Sequence, residues 1–340
     1  MTNTSTPPAT SAAIEALRSR GMQDLDPAAL AAFRATERAF LEVTAGAGFE
    51  EIRTPTLEPL HLYTSSGALS PQLLDRVYSF LDWDGWSGER VVLRPDSTVP
   101  AARWYEEHRT ANEPSRLCYV QPVYRFDAAG GDREVWQCGV ELFGVPAPEG
   151  DTELLGLALD IAASLGIEAP VVDLAHAGLV RAALEAAGLD RDRQVEVYDR
   201  LLAGDTAAVE QLLQAHPQGS SALRLLFGVD GDTTGYLANL RATLVAAVPE
   251  AGAAVAELEA VAAALDARGA SYRVRPAAAR NFEYYTGVTF VLTVEGRECL
   301  AGGRYDGLVE AIGGAPAPAS GFAADVLGLA ALSQQSGASR

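Results

Sequence analysis

The sequence predicts an α+β fold, an antiparallel sheet flanked by helices with a helical block inserted into it. Three observations point there. Segments with period-two alternation of apolar residues come in hairpin pairs. Helical stretches are grouped and do not alternate strictly with strands, which argues against a doubly wound sheet. The stretch from about Leu179 to Arg268 is rich in Ala and Leu, lacks Cys, Met and Trp, and reads as helix nearly throughout. At 340 residues the chain exceeds one ordinary domain. The expected division is a disordered leader at 1–15, a core in two parts at 16–178 and 269–335, and a helical insertion at 179–268.

The leader MTNTSTPPATSAA has neither the basic nor the apolar region of a signal peptide. Asp26-Pro27 then starts a helix, Asp as N-cap and Pro at the first helical position, that runs to about Ala45 and ends at Gly46-Ala47-Gly48. Phe49 to Arg53 is a short strand ended by Thr54-Pro55. Val77–Trp83 and Glu89–Leu93 form a hairpin, and Ser97 and Thr98 can cap a helix through about Arg109. A longer hairpin pairs Leu117–Asp127 with Arg133–Gly144 around Ala128 to Asp132. Thr152 opens a helix to about Leu165, and Pro170–Leu174 is an apolar strand. Gly188, Gly204 and Pro217 punctuate the helical block, with Asp205 as an N-cap. Strands resume at about Ser271. Val288, Phe290, Leu292 and Val294 alternate toward Glu295-Gly296, a tight turn, and Arg297–Ala301 returns.

Composition excludes several kinds of function. All 26 basic residues are arginine, so no P-loop lysine, Schiff-base lysine or lysine general base exists. A net charge of −19 argues against nucleic acid, whose phosphates need clustered cations, and is better explained by solubility or a basic protein partner. No apolar run approaches the ~18 residues of a membrane span. His61, His108, His176 and His216 are scattered, and Cys118, Cys138 and Cys299 show no CxxC spacing. The expectation is no metal, no cofactor, and reduced buried thiols in a cytoplasmic protein.

The chemistry concentrates in two places. From Arg280 to Gly314, Arg280, Tyr284, Tyr285 and Tyr305 cluster with Glu283 and Asp306 around a hairpin, and Gly302 and Gly303 allow close backbone approach. In the long hairpin, Gln137 and Glu141 share one face, Arg125 ends the first strand, and Asp96 starts a helix. An amino acid needs acceptors for its ammonium and a cation for its carboxylate, and an imidazole N–H needs a buried acceptor. Asp96, Arg125, Gln137, Glu141, Arg280 and Tyr285 supply that set. Surface salt bridges use the same residue types, and the residues alone leave both readings open.

Taken together the motifs resemble the catalytic core of histidyl-tRNA synthetase, a class II synthetase. GFEEIRTPTLE from Gly48 to Glu58 resembles motif 1, and LRPDST at Leu93–Thr98 resembles LRPEGT. YRFD at Tyr124–Asp127 with QCGVELFG at Gln137–Gly144 resembles motif 2 and its return strand. RNFEYYTG at Arg280–Gly287 and AGGRYDGLVEAIGG at Ala301–Gly314 resemble the two histidine motifs. Departures fall where ATP would be held. Motif 3 reads GFAADVLG at Gly321–Gly328, with Leu327 and Gly328 in place of Glu-Arg; Phe126 and Asp127 replace His-Glu, and the following loop lacks its arginine. Phosphoryl transfer depends on charge neutralisation, so such a site should not adenylate. RPDSTVPAAR at Arg94–Arg103 and VDLAHAGLVRAAL at Val172–Leu184 resemble a related family, the regulatory subunits of ATP phosphoribosyltransferase.

That resemblance implies a non-catalytic protein without an anticodon-binding domain, self-associating as a class II-like dimer and joining the short catalytic phosphoribosyltransferase, usually as a hetero-octamer. It implies L-histidine as an allosteric ligand: Asp96 and Gln137 at the ammonium, Arg280 and Arg125 at the carboxylate, Glu141 and Tyr285 at the imidazole. Tyr284 lies beside them, with Tyr305 as wall and Gly302-Gly303 as floor. A histidine-activating enzyme and a ligand-free assembly scaffold are the alternatives.

Overall fold

This computed structural model describes residues 18–66, 76–83, 88–110, 113–127, 131–202, 207, 211, 214, 226, 234–276 and 284–338. The leader, the turn of the first hairpin, Ala128 to Gly130, Gly204, Asp205, Pro217, Arg280 and Glu283 lie outside the described residues.

Helix α1 (Pro27–Gly46) starts as its sequence predicts, the Asp26 carboxylate accepting from Ala29 N at 2.8 Å. Its buried Phe33, Thr36, Phe40 and Thr44 repeat at helical spacing. Strand β1 (Glu50–Glu51) is shorter than the expected Phe49–Arg53 and runs parallel to β5 (Ser115–Tyr124). The buried Arg94 guanidinium takes the carbonyls of Thr54 and Pro55 at 2.7 and 3.0 Å, which turns the chain off the sheet. Strands β2 (Leu57–Pro59), β3 (Ser79–Trp83) and β4 (Gly88–Leu93) form a separate small sheet in the order β2-β4-β3, with α2 (Leu60–Ser66) following β2.

Helix α3 (Thr98–His108) corrects one sequence expectation. Its first turn is capped by Asp96, whose Oδ1 accepts from Val99 N at 3.0 Å. Ser97 has already entered the helical region (φ −101°, ψ −19°), so its hydroxyl makes no cap and is buried without a partner among the described residues. Strand β6 (Glu134–Phe143) pairs with β5 along the whole hairpin, from Ser115↔Phe143 to Tyr124↔Glu134. Helix α4 (Glu149–Ser164) begins three residues earlier than Thr152, with Glu149 and Asp151 in its first turn, where the helix dipole favours anions.

Strand β7 (Val171–His176) extends two residues past the expected Leu174. His176 then caps helix α5 (Ala177–Ala186), its Nδ1 accepting from Gly178 N at 3.0 Å. Helices α6 (Arg191–Leu202), α7 (Thr234–Leu240) and α8 (Gly252–Ala267) follow, with a π-helical turn at Arg241–Val245. Buried Leu179, Val180, Leu258 and Val261 of this block share one apolar cluster with the sheet residues Val172, Leu174, Phe290 and Leu292. Strand β8 (Ser271–Val274) lies parallel to β7 at the sheet edge.

Strand β9 (Val288–Val294) turns through Glu295 (φ 51°) and Gly296 (φ 77°) into β10 (Arg297–Arg304), the left-handed pair that a two-residue hairpin requires. After α9 (Leu308–Ala311), β11 (Ala319–Asp325) enters between β6 and β10, and α10 (Val326–Ala338) covers the sheet. The large sheet has the order β1-β5-β6-β11-β10-β9-β7-β8, antiparallel except for its two outermost pairs. The fold is thus α+β, as the hairpins and grouped helices predict. The three cysteines are buried free thiols. Among the described residues no helix is long and apolar enough to cross a membrane, and no cluster of metal-ligating side chains occurs.

Candidate functional site

The insertion of β11 beside β6 builds the site. It sets Gly321 opposite Glu141, while Gly139 of β6 faces Tyr119 of β5. Glu141 is 1% exposed. Its Oε1 accepts from the Tyr119 hydroxyl at 3.0 Å, and its Oε2 accepts from the Tyr305 hydroxyl. A Cβ on Gly139 would overlap the Tyr119 hydroxyl, and one on Gly321 would overlap Glu141 Oε2 and the Tyr305 hydroxyl. The two glycines therefore make room for a Tyr119–Glu141–Tyr305 chain of hydrogen bonds. Burial pushes the Glu141 carboxyl well above the usual carboxylate range, and the negative charge of Asp96 adds to this. Hydrogen bonds from Thr98 and Tyr119 oppose the rise.

Asp96 faces this network from the start of α3. Its charge acts on Tyr119, Arg125, Glu141, Tyr284 and Tyr285, and its Oδ2 has no partner among the described residues. Arg125 is anchored by Nε donating to Pro95 O at 2.7 Å. Desolvation lowers the pKa of its guanidinium, against the pull of Asp96. Tyr284 stacks on Tyr305 at 5.1 Å and 25° and meets Tyr285 edge-on at 5.0 Å. Burial, with the charges of Asp96 and Glu141, raises the hydroxyl pKa of both Tyr284 and Tyr285.

One residue before Tyr305, the buried Arg304 fixes the wall from behind. Its Nε donates to both oxygens of Asp151 at 3.0 and 3.1 Å, and its Nη1 to Asp306 at 3.0 Å. Asp306 in turn accepts from Ala319 N at 2.8 Å, which ties the end of β10 to the start of β11.

The structure thus brings together Asp96, Arg125, Glu141, Tyr284, Tyr285 and Tyr305. Gln137 lies on the Glu141 face of β6 but four residues along, opposite Gln121 and Asp325. Gly302 and Gly303 lie within β10, where a Cβ would overlap Gly321 and Phe322 of β11 or Val288 and Thr289 of β9. Arg280 lies outside the described residues. Sequence reasoning missed Tyr119, Thr98, Gly139 and Gly321. A tyrosine across a hairpin from a glycine, two residues from a glutamate, was the available signal for the first and third.

The model of the histidyl-tRNA synthetase family matches residues 21–329. A protein of Dehalococcoides mccartyi (strain CBDB1), an ATP phosphoribosyltransferase regulatory subunit, is 45% identical over 307 residues, 90% of this chain and 74% of its own. The chain belongs to the ATP phosphoribosyltransferase regulatory subunit family. A member from Anaeromyxobacter dehalogenans (strain 2CP-1 / ATCC BAA-258) is 37% identical over 316 residues, 90% of this chain and 88% of its own. A solved structure from Bacillus halodurans, titled an ATP phosphoribosyltransferase regulatory subunit/histidyl-tRNA synthetase, superposes with a TM-score of 0.81 at 25% identity. It covers 93% of this chain and 82% of the other.

Within the family's frame, the positions that depart from a synthetase have their own local partners. The Asp325 carboxylate accepts from Leu327 N and Gly328 N at 3.1 and 3.2 Å, so two of the free amides in the first turn of α10 are filled by a side-chain anion. Phe126 lies under the Arg133 guanidinium, 4.4 Å from its ring centre, and Asp127 pairs with Arg76 at 3.8 Å.

Proposed function

We propose that this chain is a non-catalytic regulatory subunit of ATP phosphoribosyltransferase, the first enzyme of histidine biosynthesis. It activates the short catalytic subunit and mediates feedback inhibition by histidine. The observation that carries the reading is the 45% identity across 90% of the chain to a protein of that name. The Asp325 carboxylate on the amides of α10, where a synthetase carries a phosphate-gripping arginine, supports loss of ATP chemistry. The assembly is a class II-like homodimer joined by catalytic subunits in a cytoplasmic hetero-octamer.

In this reading L-histidine sits between the two hairpins. Asp96 Oδ2 takes the ammonium together with Gln137, Arg125 and Arg280 take the carboxylate, and Glu141 and Tyr285 meet the imidazole. Tyr284 and Tyr305 wall the site, and Gly302-Gly303 lie beneath it. A ligand that binds active and inhibited assemblies differently shifts their populations by that difference, typically ~1–3 kcal/mol.

The test mixes the chain with the short phosphoribosyltransferase of the same genome and follows product across a histidine titration. Activity that needs the chain and falls with histidine is expected; no effect of the chain refutes the proposal. Histidine binding should disappear in Glu141→Ala by calorimetry, and unchanged binding moves the feedback site elsewhere. Dependence without inhibition leaves an assembly scaffold with no ligand. The family model's synthetase match motivates a second reading, histidine activation, which ATP–pyrophosphate exchange detects.

A further inference from the structure

The segment Tyr284 to Gly287 carries two of the tyrosines that wall the site, and it is held from two sides. From the sheet, Arg304 O accepts from Thr286 N at 2.7 Å, and the Thr286 hydroxyl accepts from Asp306 N at 3.0 Å. From the helical block, Ala177 N donates to Gly287 O at 3.0 Å, and Arg181 Nη2 donates to Tyr285 O at 3.2 Å. Ala177 is the first residue of α5, so its amide is one that the helix itself leaves unused. Arg181 lies one turn further along, on the same face. The start of α5 is in turn tied to α8. His176, 3% exposed, accepts from Gly178 N at its Nδ1, which leaves the ring proton on Nε2 to donate to Glu257 at 3.0 Å. A continuous series of hydrogen bonds thus runs from α8 through α5 to the backbone of Tyr285.

We propose that Arg181 is a positioning residue for the site: by holding the Tyr285 carbonyl it sets the Tyr284–Tyr285 pair, and it makes ligand occupancy and the placement of α5 depend on each other. The coupling rests on the reading of this site as one for histidine. Tyr284 and Tyr285 lie 5.1 and 6.3 Å from Tyr305, whose hydroxyl donates to Glu141, so a turn of the peptide after Tyr285 would change the wall that a ligand meets. A guanidinium donor makes the stronger, charge-assisted kind of bond to that carbonyl. The bond from Ala177 to Gly287 runs from main chain to main chain, so no change of rotamer can absorb a movement of α5. A ligand that favours one placement of the tyrosines must then favour the matching placement of α5, and the converse holds by linkage. The helical block is in this way part of the site and not an appendage to it.

Fluorine NMR of the full-length chain labelled with 3-fluorotyrosine reads the wall directly, with signals assigned by Tyr284→Phe, Tyr285→Phe and Tyr272→Phe. Arg181→Met should move the Tyr284 and Tyr285 signals and leave that of Tyr272, on β8, in place. Arg181→Lys, still able to donate to the carbonyl, should return both toward their parental positions. Unmoved wall signals in a folded Arg181→Met chain, or a shift that Arg181→Lys does not reverse, overturn the proposal. By calorimetry histidine should bind Arg181→Met at least tenfold more weakly than the parent, and Arg181→Lys within threefold of it. Hydrogen exchange reads the other direction: histidine should slow the amides of 177–186 in the parent chain and not in Arg181→Met. Equal affinities, or histidine binding without protection of α5, also overturn it. A parent chain that binds no histidine refutes the function read for the site, whereas the fluorine signals still decide the role of Arg181.

Discussion

Replacing Arg304 with methionine tests whether the wall behind the site is held by a buried ion pair. Methionine keeps much of the apolar stem but removes the guanidinium that meets Asp151 at 3.0 and 3.1 Å and Asp306 at 3.0 Å. Asp151, 1% exposed, is left without a counter-charge. Breaking one side of such a pair costs about 3–5 kcal/mol. The loss depends on pH. Burial raises the Asp151 carboxyl from its ordinary 3.8 to about 6 even with Arg304 opposing it, and removing Arg304 raises it further. A folded-state value above the unfolded one means that protonation favours the folded chain. This contribution is complete below about pH 4 and is lost as pH rises through the folded value. The deficit of Arg304→Met relative to the parent chain should therefore be smaller at pH 5 than at pH 8. Urea denaturation followed by tryptophan fluorescence at both pH values measures it, and Arg304→Met/Asp151→Leu should recover most of the loss. A deficit below ~1 kcal/mol, or one equal at the two pH values, would refute the claim that the pair is desolvated.

The other predictions concern the carboxylate network and one misplaced hydroxyl. Gly139→Ala forces a methyl into the Tyr119 hydroxyl, at a cost of about 1–3 kcal/mol for overpacking; an unchanged denaturation midpoint would mean that Tyr119 moves freely. Glu141→Gln removes a titrating group whose folded value is raised, so the parent chain should lose stability relative to the variant as pH rises above about 4.5. A pH-independent difference between the two would show that Glu141 does not titrate. Ser97→Ala deletes a buried hydroxyl without a partner among the described residues and should be neutral or stabilising by up to ~1 kcal/mol; a loss above that in thermal melts would reveal a bond to the hydroxyl.

The fold was legible where local chemistry decides it. Asp26-Pro27, the alternation of Val288 to Val294 and the Glu295-Gly296 turn each determine their element from adjacent residues. What escaped depended on partners distant in sequence. Strand β1 spans only Glu50–Glu51, and just beyond it the carbonyls of Thr54 and Pro55 are held by Arg94, some forty residues on. The cap of α3 is Asp96 because Ser97 is already helical, a dihedral that no propensity fixes. Of the candidate site, Asp96, Glu141 and the tyrosines were legible as residue types that could serve one ligand, and the structure brings them together. The positions that make room for them were not. Gly321 serves Glu141 only because β11 inserts beside β6, and that neighbour relation is not written in either strand.

The same insertion governs the order in which the molecule can be made. β6 pairs with β11 from Phe143↔Ala319 to Gln137↔Asp325, with the helical block and β7 to β10 lying between them in the chain. During synthesis the β5–β6 hairpin leaves the ribosome early, and one edge of β6 waits, unpaired, for a strand near the C-terminus. Translation that stops before Ala319 would leave this edge open together with an uncovered apolar face, a template for association with other nascent chains. Late closure by a single strand makes completion of the Glu141 network and burial of that edge one event, so a truncated chain has neither.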